Sequence, residues 1–240
     1  MRGKNTAIIG LVLSIAAIIV LAGGPLLTPG QGDRGAGSSG DRTAVPPSST
    51  CGAVSAVQFH NEWRAVWEEH VWWTREVIIG ILDNANWTDT SVNRLIKVTN
   101  DTREMLRPYY GDQADTFYTE LVGHFTIAAQ IVTGVREGTN VTSLVQDWFA
   151  NAANLTRVMN AMNPQFWPAG EVNAMWNEHL NLTIQEATAQ AQGDYALSVP
   201  TFDLIELQGR MMGDLFSNGI MMQFPDQFRG MSCVEALNAS

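Results

Sequence analysis

The sequence predicts an all-α protein, an antiparallel helical bundle with a four-helix core and extra helices, behind an N-terminal transmembrane helix. Three observations predict this fold. An apolar run near the N terminus is long enough to cross a bilayer. From residue 55 onward, apolar residues recur at spacings of three and four, which places them on one face of a helix. No stretch of the sequence shows the sustained alternation of apolar and polar residues that is typical of a half-buried strand.

Residues 1–27 are predicted to form a signal anchor or a cleaved signal peptide. Arg2 and Lys4 precede an uncharged segment whose apolar centre covers residues 7–27. About 20 apolar residues span a bilayer and a basic flank stays in the cytoplasm, so the rest of the chain is expected outside, on a single-pass cell-membrane protein. Val20-Leu21-Ala22 is also an acceptable cleavage site, which leaves a secreted form open.

Residues 28–50 are predicted to be a flexible linker. Gly, Ser and Pro dominate this segment, and large apolar side chains are nearly absent. Such a composition cannot bury enough apolar surface to offset the conformational entropy that is lost on ordering. We therefore expect a tether between the membrane and a folded extracytoplasmic domain that covers residues 51–240.

The domain is expected to contain six helical segments, separated by turn-forming residues and prolines. The predicted segments cover residues 55–82, 90–106, 112–136, 142–162, 171–192 and 200–223. Short connections favour antiparallel neighbours, and a four-helix core with two additional helices is the architecture that we predict.

The two cysteines of the chain, Cys51 and Cys233, stand near the two ends of the domain. Chain ends of a domain often lie close together. In an oxidising compartment, a disulfide between them would close a loop of about 180 residues and stabilise the fold by about 4–5 kcal/mol. The alternative is a pair of unrelated thiols, and we favour the disulfide.

Asn-x-Ser/Thr sequons agree with an extracytoplasmic location and with glycosylation at some of them. The alternative is that Asn and Thr are simply common in this chain. Five candidate glycosylation sites lie within the helical region: Asn86, Asn100, Asn140, Asn154 and Asn181. A sixth sequon, at Asn238, lies near the C terminus.

The charge balance argues against several classes of partner. The net charge is −10, and without the two basic residues at the N terminus the rest of the chain carries −12. A nucleic-acid-binding protein would show a basic face, which this sequence lacks. An acidic surface also disfavours flat docking on anionic lipid, so the N-terminal helix is the expected contact with the membrane.

Two segments share an eight-residue pattern. Residues 67–74 read WEEHVWWT and residues 176–183 read WNEHLNLT, and both fit W-x-E-H-[V/L]-x-x-T. This echo suggests duplication of a helical hairpin. In each copy, the histidine and the threonine four residues later share the helix face that is expected to be buried.

Three histidines are predicted to lie on the inward faces of three different helices: His70, His124 and His179. Buried polar groups need hydrogen-bond partners. The polar side chains that we expect to supply them in the core are Thr74, Thr183 and Asp203.

A transition-metal site is one interpretation of these histidines, because helical bundles build metal sites from side chains on facing helices. Glu206 shares a helix face with Gly209 and Gly213, where small residues permit close approach of another helix. Two alternatives stay open: the histidines are hydrogen-bonded core residues, or they line a small-molecule pocket. The predicted ligand set is His70, His124, His179 and Glu206.

Several motifs stand between residues 63 and 228: EHVWWTR (69–75), PYYG (108–111), His124, Asn163-Pro164, EHLNLT (178–183) and QFPDQF (223–228). Together they resemble a largely uncharacterised family of small helical proteins from bacteria and some archaea. The resemblance implies the helical fold and its boundaries, and it implies no particular activity. Relatives carry a histidine where this chain has Glu206 and an acidic residue near Asn154, so the resemblance implies that two ligand positions differ here.

The sequence therefore favours a non-catalytic function, as a membrane-tethered extracytoplasmic binding or structural module. The alternative is a metal-binding bundle in a redox or storage role. A third class is an enzyme that uses the same histidine and carboxylate cluster for acid–base chemistry. The sequence contains no Gly-rich phosphate loop, nucleophile elbow or Cys-x-x-Cys motif.

Overall fold

The computed structural model describes residues 51–228, with side chains from residue 56 onward. No strand occurs in this part of the chain, which confirms the all-α class. None of the helices between residues 51 and 228 combines the length and apolar character that crossing a membrane requires. The helices are α1 (Cys51–Asp83), α2 (Thr88–Tyr110), α3 (Gln113–Glu137), α4 (Thr142–Met162), α5 (Ala169–Gln192), α6 (Tyr195–Gln223) and α7 (Pro225–Phe228).

Three sequence-based predictions fall outside the described residues. The N-terminal anchor (1–27) and the linker (28–50) precede them. The disulfide depends on the side chains of Cys51 and Cys233, neither of which is described. These three remain predictions.

Helix limits follow the predicted segments closely, and three ends differ by four or five residues. α1 begins at Cys51, four residues before the predicted start, and the other two differences occur at prolines. α4 has the predicted limits 142–162. α2 continues through Pro108 to Tyr110, because a proline in the last turn removes only one backbone hydrogen bond. α6 begins five residues before Pro200, because Asp194 caps it by accepting the N–H of Leu197 at 3.1 Å.

The six long helices form three antiparallel hairpins, α1–α2, α3–α4 and α5–α6. Each helix contacts the next one in sequence, and α6 returns to α1, so the helices close into a ring. α1, α3 and α5 also contact one another and form the inner layer. This arrangement replaces the predicted four-helix core with two added helices, because helix and connection lengths do not specify which helices meet at the centre.

The three hairpins are copies of one unit. Asn84, Gly138 and Gly193 follow the ends of the inner helices with φ values of 52°, 70° and 73°, and each stands 14 residues after the histidine of its helix. In all three copies, the next backbone N–H donates to the carbonyl ten residues after the histidine, at 2.9 Å. This is the Schellman type of helix ending. The pattern that the sequence shows in two copies therefore occurs three times in the structure, and His124 belongs to the third copy.

The contact between α6 and α1 depends on the small residues of α6. A Cβ added at Gly213 would lie 2.9 Å from the Cα of Arg64 and from the carbonyl oxygen of Trp63. The ring of Trp63 stacks on Phe216 with centroids 4.9 Å apart. Arg64 also binds Asp214 through two nitrogen–oxygen contacts of 2.5 and 2.7 Å. Glycine thus allows the two backbones to approach closely, as the sequence predicted for this face.

Candidate ligand site: a histidine layer and an axial cavity

His70, His124 and His179 occupy equivalent positions on the three inner helices, and we call them the histidine layer. Their exposed fractions are 4%, 1% and 2%. The Nε2 atoms of His70 and His179 lie 3.4 Å apart. Phe125 stacks on the ring of His70 at 4.9 Å, and Trp148 lies 5.0 Å from the ring of His124. The layer is thus a buried set of imidazoles enclosed by aromatic rings.

Two amide side chains on the outer helices fix the orientation of two of these rings. His124 Nδ1 lies 2.8 Å from Asn151 Oδ1, and His179 Nδ1 lies 3.0 Å from Gln208 Oε1. The amide nitrogens of both partners donate to backbone carbonyls, at 3.1 and 3.2 Å. The amide oxygens are therefore the acceptors, and the Nδ1 atoms of the two histidines carry the protons. Sequence reasoning missed both partners.

The donor or acceptor roles of the remaining ring nitrogens follow from this assignment. In a neutral imidazole that is protonated on Nδ1, Nε2 is an acceptor. His70 Nε2–H then donates to His179 Nε2. His124 Nε2 is buried and has no hydrogen-bond partner among the described residues, and the same holds for three indole N–H groups that contact the layer. These indoles are Trp67, Trp148 and Trp176.

Burial keeps all three imidazoles neutral. Desolvation lowers the pKa of His124 to about 3 and the pKa of His179 to about 4. Desolvation also lowers the pKa of His70 well below its usual value, and the neighbouring His179 and His124 lower it further. At neutral pH the layer is therefore uncharged.

Two carboxylates were predicted to lie beside the histidines, Glu206 as a metal ligand and Asp203 as a core hydrogen-bond partner. Both lie apart from the histidine layer. Glu206 is half-buried and pairs with Arg210, one turn later on α6, at 3.0 Å. Asp203 is exposed and is not a core partner. The predicted four-ligand set is not assembled, because α6 turns Gln208 rather than these carboxylates toward the inner helices. Within the described residues, no three His, Cys, Asp or Glu side chains converge in a way that could hold a metal ion.

The two predicted threonines bond within their own helices. Thr74 donates to the carbonyl of His70 and Thr183 to the carbonyl of His179, each at 2.8 Å. Their partner is thus the backbone of the histidine and not its ring. Ala128 takes the equivalent position in the third copy.

Thr74, Ala128 and Thr183 line one end of an apolar cavity between the inner helices. We call it the axial cavity. It extends from these residues, one helical turn after the histidine layer, to Leu82 and Val135 near the hairpin ends. Eight residues of helix, from 74 to 82, rise about 12 Å. The cavity volume is about 50 Å³, far below the roughly 300–1,000 Å³ of pockets that enclose a drug-sized ligand. A ligand of only a few non-hydrogen atoms therefore fits without movement of the lining side chains. None of the lining residues is charged.

A buried ion pair stands beside the layer and was not foreseen from the sequence. Arg75 Nη1 lies 2.6 Å from Glu186 Oε1, and the two side chains are 14% and 1% exposed. Ser198 Oγ lies 3.0 Å from the same carboxylate oxygen, and the ring of Phe202 lies under the guanidinium at 4.6 Å. Burial raises the pKa of Glu186, and the charge of Arg75 opposes that shift. The pair joins α1, α5 and α6, and we interpret it as structural.

The candidate glycosylation sites fall into two groups. Asn86 and Asn140 are exposed in the connections before α2 and α4. The other three lie half-buried inside helices, and in each of those sequons the threonine is buried and donates to its own helix backbone. Asn238 lies outside the described residues. The helical group is Asn100, Asn154 and Asn181.

The chain matches no protein-family model, no curated protein and no solved structure.

Proposed function

We propose that the protein is a membrane-tethered extracytoplasmic binding module, and that the axial cavity takes an apolar ligand of a few non-hydrogen atoms. The observation that carries the proposal is the cavity itself, whose walls are almost entirely apolar and which begins one helical turn after the histidine layer, at Thr74, Ala128 and Thr183. Protein interiors are normally close-packed. Here Ala128, Ala129 and Ala187 leave space where larger side chains would fill the centre of the bundle.

Binding is tested with the full chain reconstituted in lipid nanodiscs, followed by extraction and mass spectrometry of what copurifies. Ala128→Phe fills the cavity, and Ala153→Phe places the same ring at an exposed position of α4 as the matched control. We expect an apolar compound with the wild type and the control that is absent from Ala128→Phe. Equal recovery from all three proteins, each with an unchanged helical spectrum, contradicts the proposal.

The extracytoplasmic location is supported by the basic flank and apolar run of residues 1–27 and by the sequons. An alkaline phosphatase domain fused after Ser240 reports the location, because this enzyme becomes active only outside the cytoplasm. We expect activity from the full chain and none after deletion of residues 1–27. An inactive but stable full-length fusion would show that the domain stays inside.

A second candidate function is metal binding by His70 and His179, which requires the proton of His70 to move from Nε2 to Nδ1. Two nitrogens bound to one tetrahedral zinc ion at 2.0–2.1 Å lie about 3.3 Å apart, and the two Nε2 atoms are 3.4 Å apart. The Nδ1–H of His179 donates to Gln208, as a second-shell partner of a metal-bound histidine does. Water or an added ligand would have to complete the coordination.

Elemental analysis of the full chain, after incubation with zinc and removal of the excess, tests this second candidate. We expect one bound zinc in the wild type and none in His179→Ala. His60→Ala is the matched control, because His60 is partly exposed, lies beside Asp214 and stands outside the histidine layer. Metal-free wild-type protein removes this candidate.

A further inference from the structure

The outer surface of α6 carries most of the exposed apolar side chains. Ten large apolar side chains are exposed between residues 56 and 228, and seven of them belong to α6. None of the ten belongs to α2 or α4, the outer helices of the other two hairpins. Because the three hairpins are copies of one unit, α2 and α4 show how an outer helix of this fold is built when it faces water. The outer face of α6 differs from both, and large exposed apolar patches mark interaction sites.

Five exposed residues of α6 form one continuous line along the helix, which we call the α6 stripe. They recur at intervals of three and four, which places them on one side of the helix. The 14 residues from 197 to 211 rise about 21 Å. This spacing is that of positions a and d in a coiled-coil heptad, where each side chain inserts between residues of a second helix. The stripe consists of Leu197, Pro200, Leu204, Leu207 and Met211.

The charges of α6 favour a protein surface over lipid as the partner of the stripe. Helices that lie flat on a membrane carry Lys and Arg on their polar face. Among residues 195–223, α6 has one basic residue, Arg210, and three acidic ones. The net charge of −10 also opposes docking of the domain on anionic lipid.

Two charged side chains beside the stripe favour a second copy of this chain as the partner. Asp203 and Arg210 are seven residues apart, so they flank the same side of the stripe. Asp203 is exposed and has no ion-pair partner among the described residues. The Arg210 side chain is 41% exposed and binds two carboxylates of its own chain, and a guanidinium has five N–H donors. If two α6 helices pair in antiparallel fashion, each Asp203 approaches Arg210 of the other copy.

We propose that the protein forms a twofold-symmetric dimer through the α6 stripe, with the two α6 helices antiparallel. The centre of the stripe lies between Leu204 and Leu207, so the twofold axis passes there. The same patch serves both copies, which closes the assembly at two chains. A parallel pairing would instead place Asp203 beside Asp203. The dimer is independent of ligand binding in the axial cavity, because no residue of α6 lines that cavity.

Light scattering from the purified full chain in detergent micelles tests the dimer. We expect a protein mass of two chains at a concentration of about 100 µM, since small interfaces are often weak. Leu204→Lys brings two ammonium groups to the twofold axis and should raise the dissociation constant at least about a hundredfold. Val57→Lys is the matched control, because Val57 is an exposed apolar residue of α1. It should leave the dissociation constant within about twofold of the wild-type value.

Charge reversal tests the antiparallel arrangement. Asp203→Arg gives each copy two cations beside the stripe, and Arg210→Asp gives each copy two carboxylates. Either variant alone should dimerise at least about tenfold more weakly than the wild type, because like charges then face each other. A mixture of the two variants should dimerise within about threefold of the wild type, since opposite charges then meet at both ends. Mixing cannot restore contacts within one chain, so recovery reports the contact between copies.

Each outcome decides one part of the proposal. A wild-type monomer at the concentration used overturns it, and would leave another protein or lipid to cover the stripe. A dimer that Leu204→Lys does not weaken shows that the stripe is not the interface. A dimer that Asp203→Arg leaves as tight as the wild type overturns the antiparallel arrangement. None of these results bears on the proposed function, which is tested by ligand recovery.

Discussion

His70 Nε2 and His179 Nε2 face each other across the bundle axis at 3.4 Å, and the proton between them belongs to His70. From there the hydrogen bonds continue from His179 Nδ1–H to Gln208 and from the Gln208 amide to the backbone of α5. One chain of hydrogen bonds thus connects α1, α5 and α6. Removing one partner of a buried hydrogen bond is costly mainly because the other donor or acceptor is then left buried without a partner.

Replacing Gln208 with leucine removes the acceptor of the His179 Nδ1–H and leaves that donor buried. We expect the free energy of unfolding to fall by about 1–3 kcal/mol, measured by urea denaturation at pH 7.5. Gln146→Leu on the exposed face of α4 is the control. In the double variant His179→Leu/Gln208→Leu the loss should be smaller than the sum of the single losses. Strict additivity would show that the two side chains do not interact.

Lowering the pH from 7.5 to 5 should destabilise the protein through the histidine layer. The folded-state pKa values of about 3 for His124 and about 4 for His179 lie below the ordinary value of 6.5. The unfolded chain therefore binds more protons below about pH 6.5. Stability is complete above that pH and falls below it, by about 1.4 kcal/mol per pH unit for each histidine.

Urea denaturation at several pH values between 7.5 and 5 measures this dependence. In His124→Gln the slope of unfolding free energy against pH should be smaller by the contribution of one proton. The same substitution at His60, whose ring is partly exposed, is the control. A His124→Gln slope equal to that of the wild type would mean that this ring is not held neutral by burial.

Alanine at Gly213 should destabilise the contact between α6 and α1, because the new Cβ would lie 2.9 Å from backbone atoms of α1. We expect a loss of about 1–3 kcal/mol. Gly123→Ala is the matched control, since its Cβ would meet only the Asn151 amide at 3.7 Å. Alanine there should stabilise α3 by about 0.5–1 kcal/mol. Thermal melts that rank the two variants in the opposite order would refute the close approach.

Methionine at Arg75 should leave the Glu186 carboxylate buried without its cation. We expect a loss of about 3–5 kcal/mol in urea denaturation at pH 7. The double variant Arg75→Met/Glu186→Met should recover most of that loss, because no unpaired charge remains in the core. Arg75→Met with near wild-type stability would show that water or another cation takes the place of the guanidinium.

Helix limits and the inward position of the histidines could be predicted, because both depend on spacing within a single segment. The third repeat was harder to detect. Its segment LVGHFTIA has leucine, glycine and alanine at the positions where the other two have tryptophan, glutamate and threonine. The available signal was the spacing of 54 and 55 residues between successive histidines, together with Gly80, Gly134 and Ala189 ten residues after each.

Other parts of the site depend on contacts between segments that are distant in the sequence. The spacing of apolar residues within one segment does not indicate which other segment it will contact. Asn151 and Gln208 become partners only when hairpins bring outer helices against inner ones. Glu206 stands at the edge of the buried face of α6, and an edge side chain turns outward when a partner such as Arg210 is within reach. The axial cavity is a space left between side chains, so no residue pattern marks it directly.

The closed ring of helices has a consequence for chain connectivity. α6 contacts α1 in the same way as each other helix contacts the next one in the sequence. Any of the three hairpins could therefore come first in the chain without changing which hairpins are neighbours. Phe59 and Phe228 lie 4.8 Å apart, so the first and last described helices meet. A circular permutant that opens at Gly111, between two hairpins, would keep every hairpin whole and should fold around the same axis.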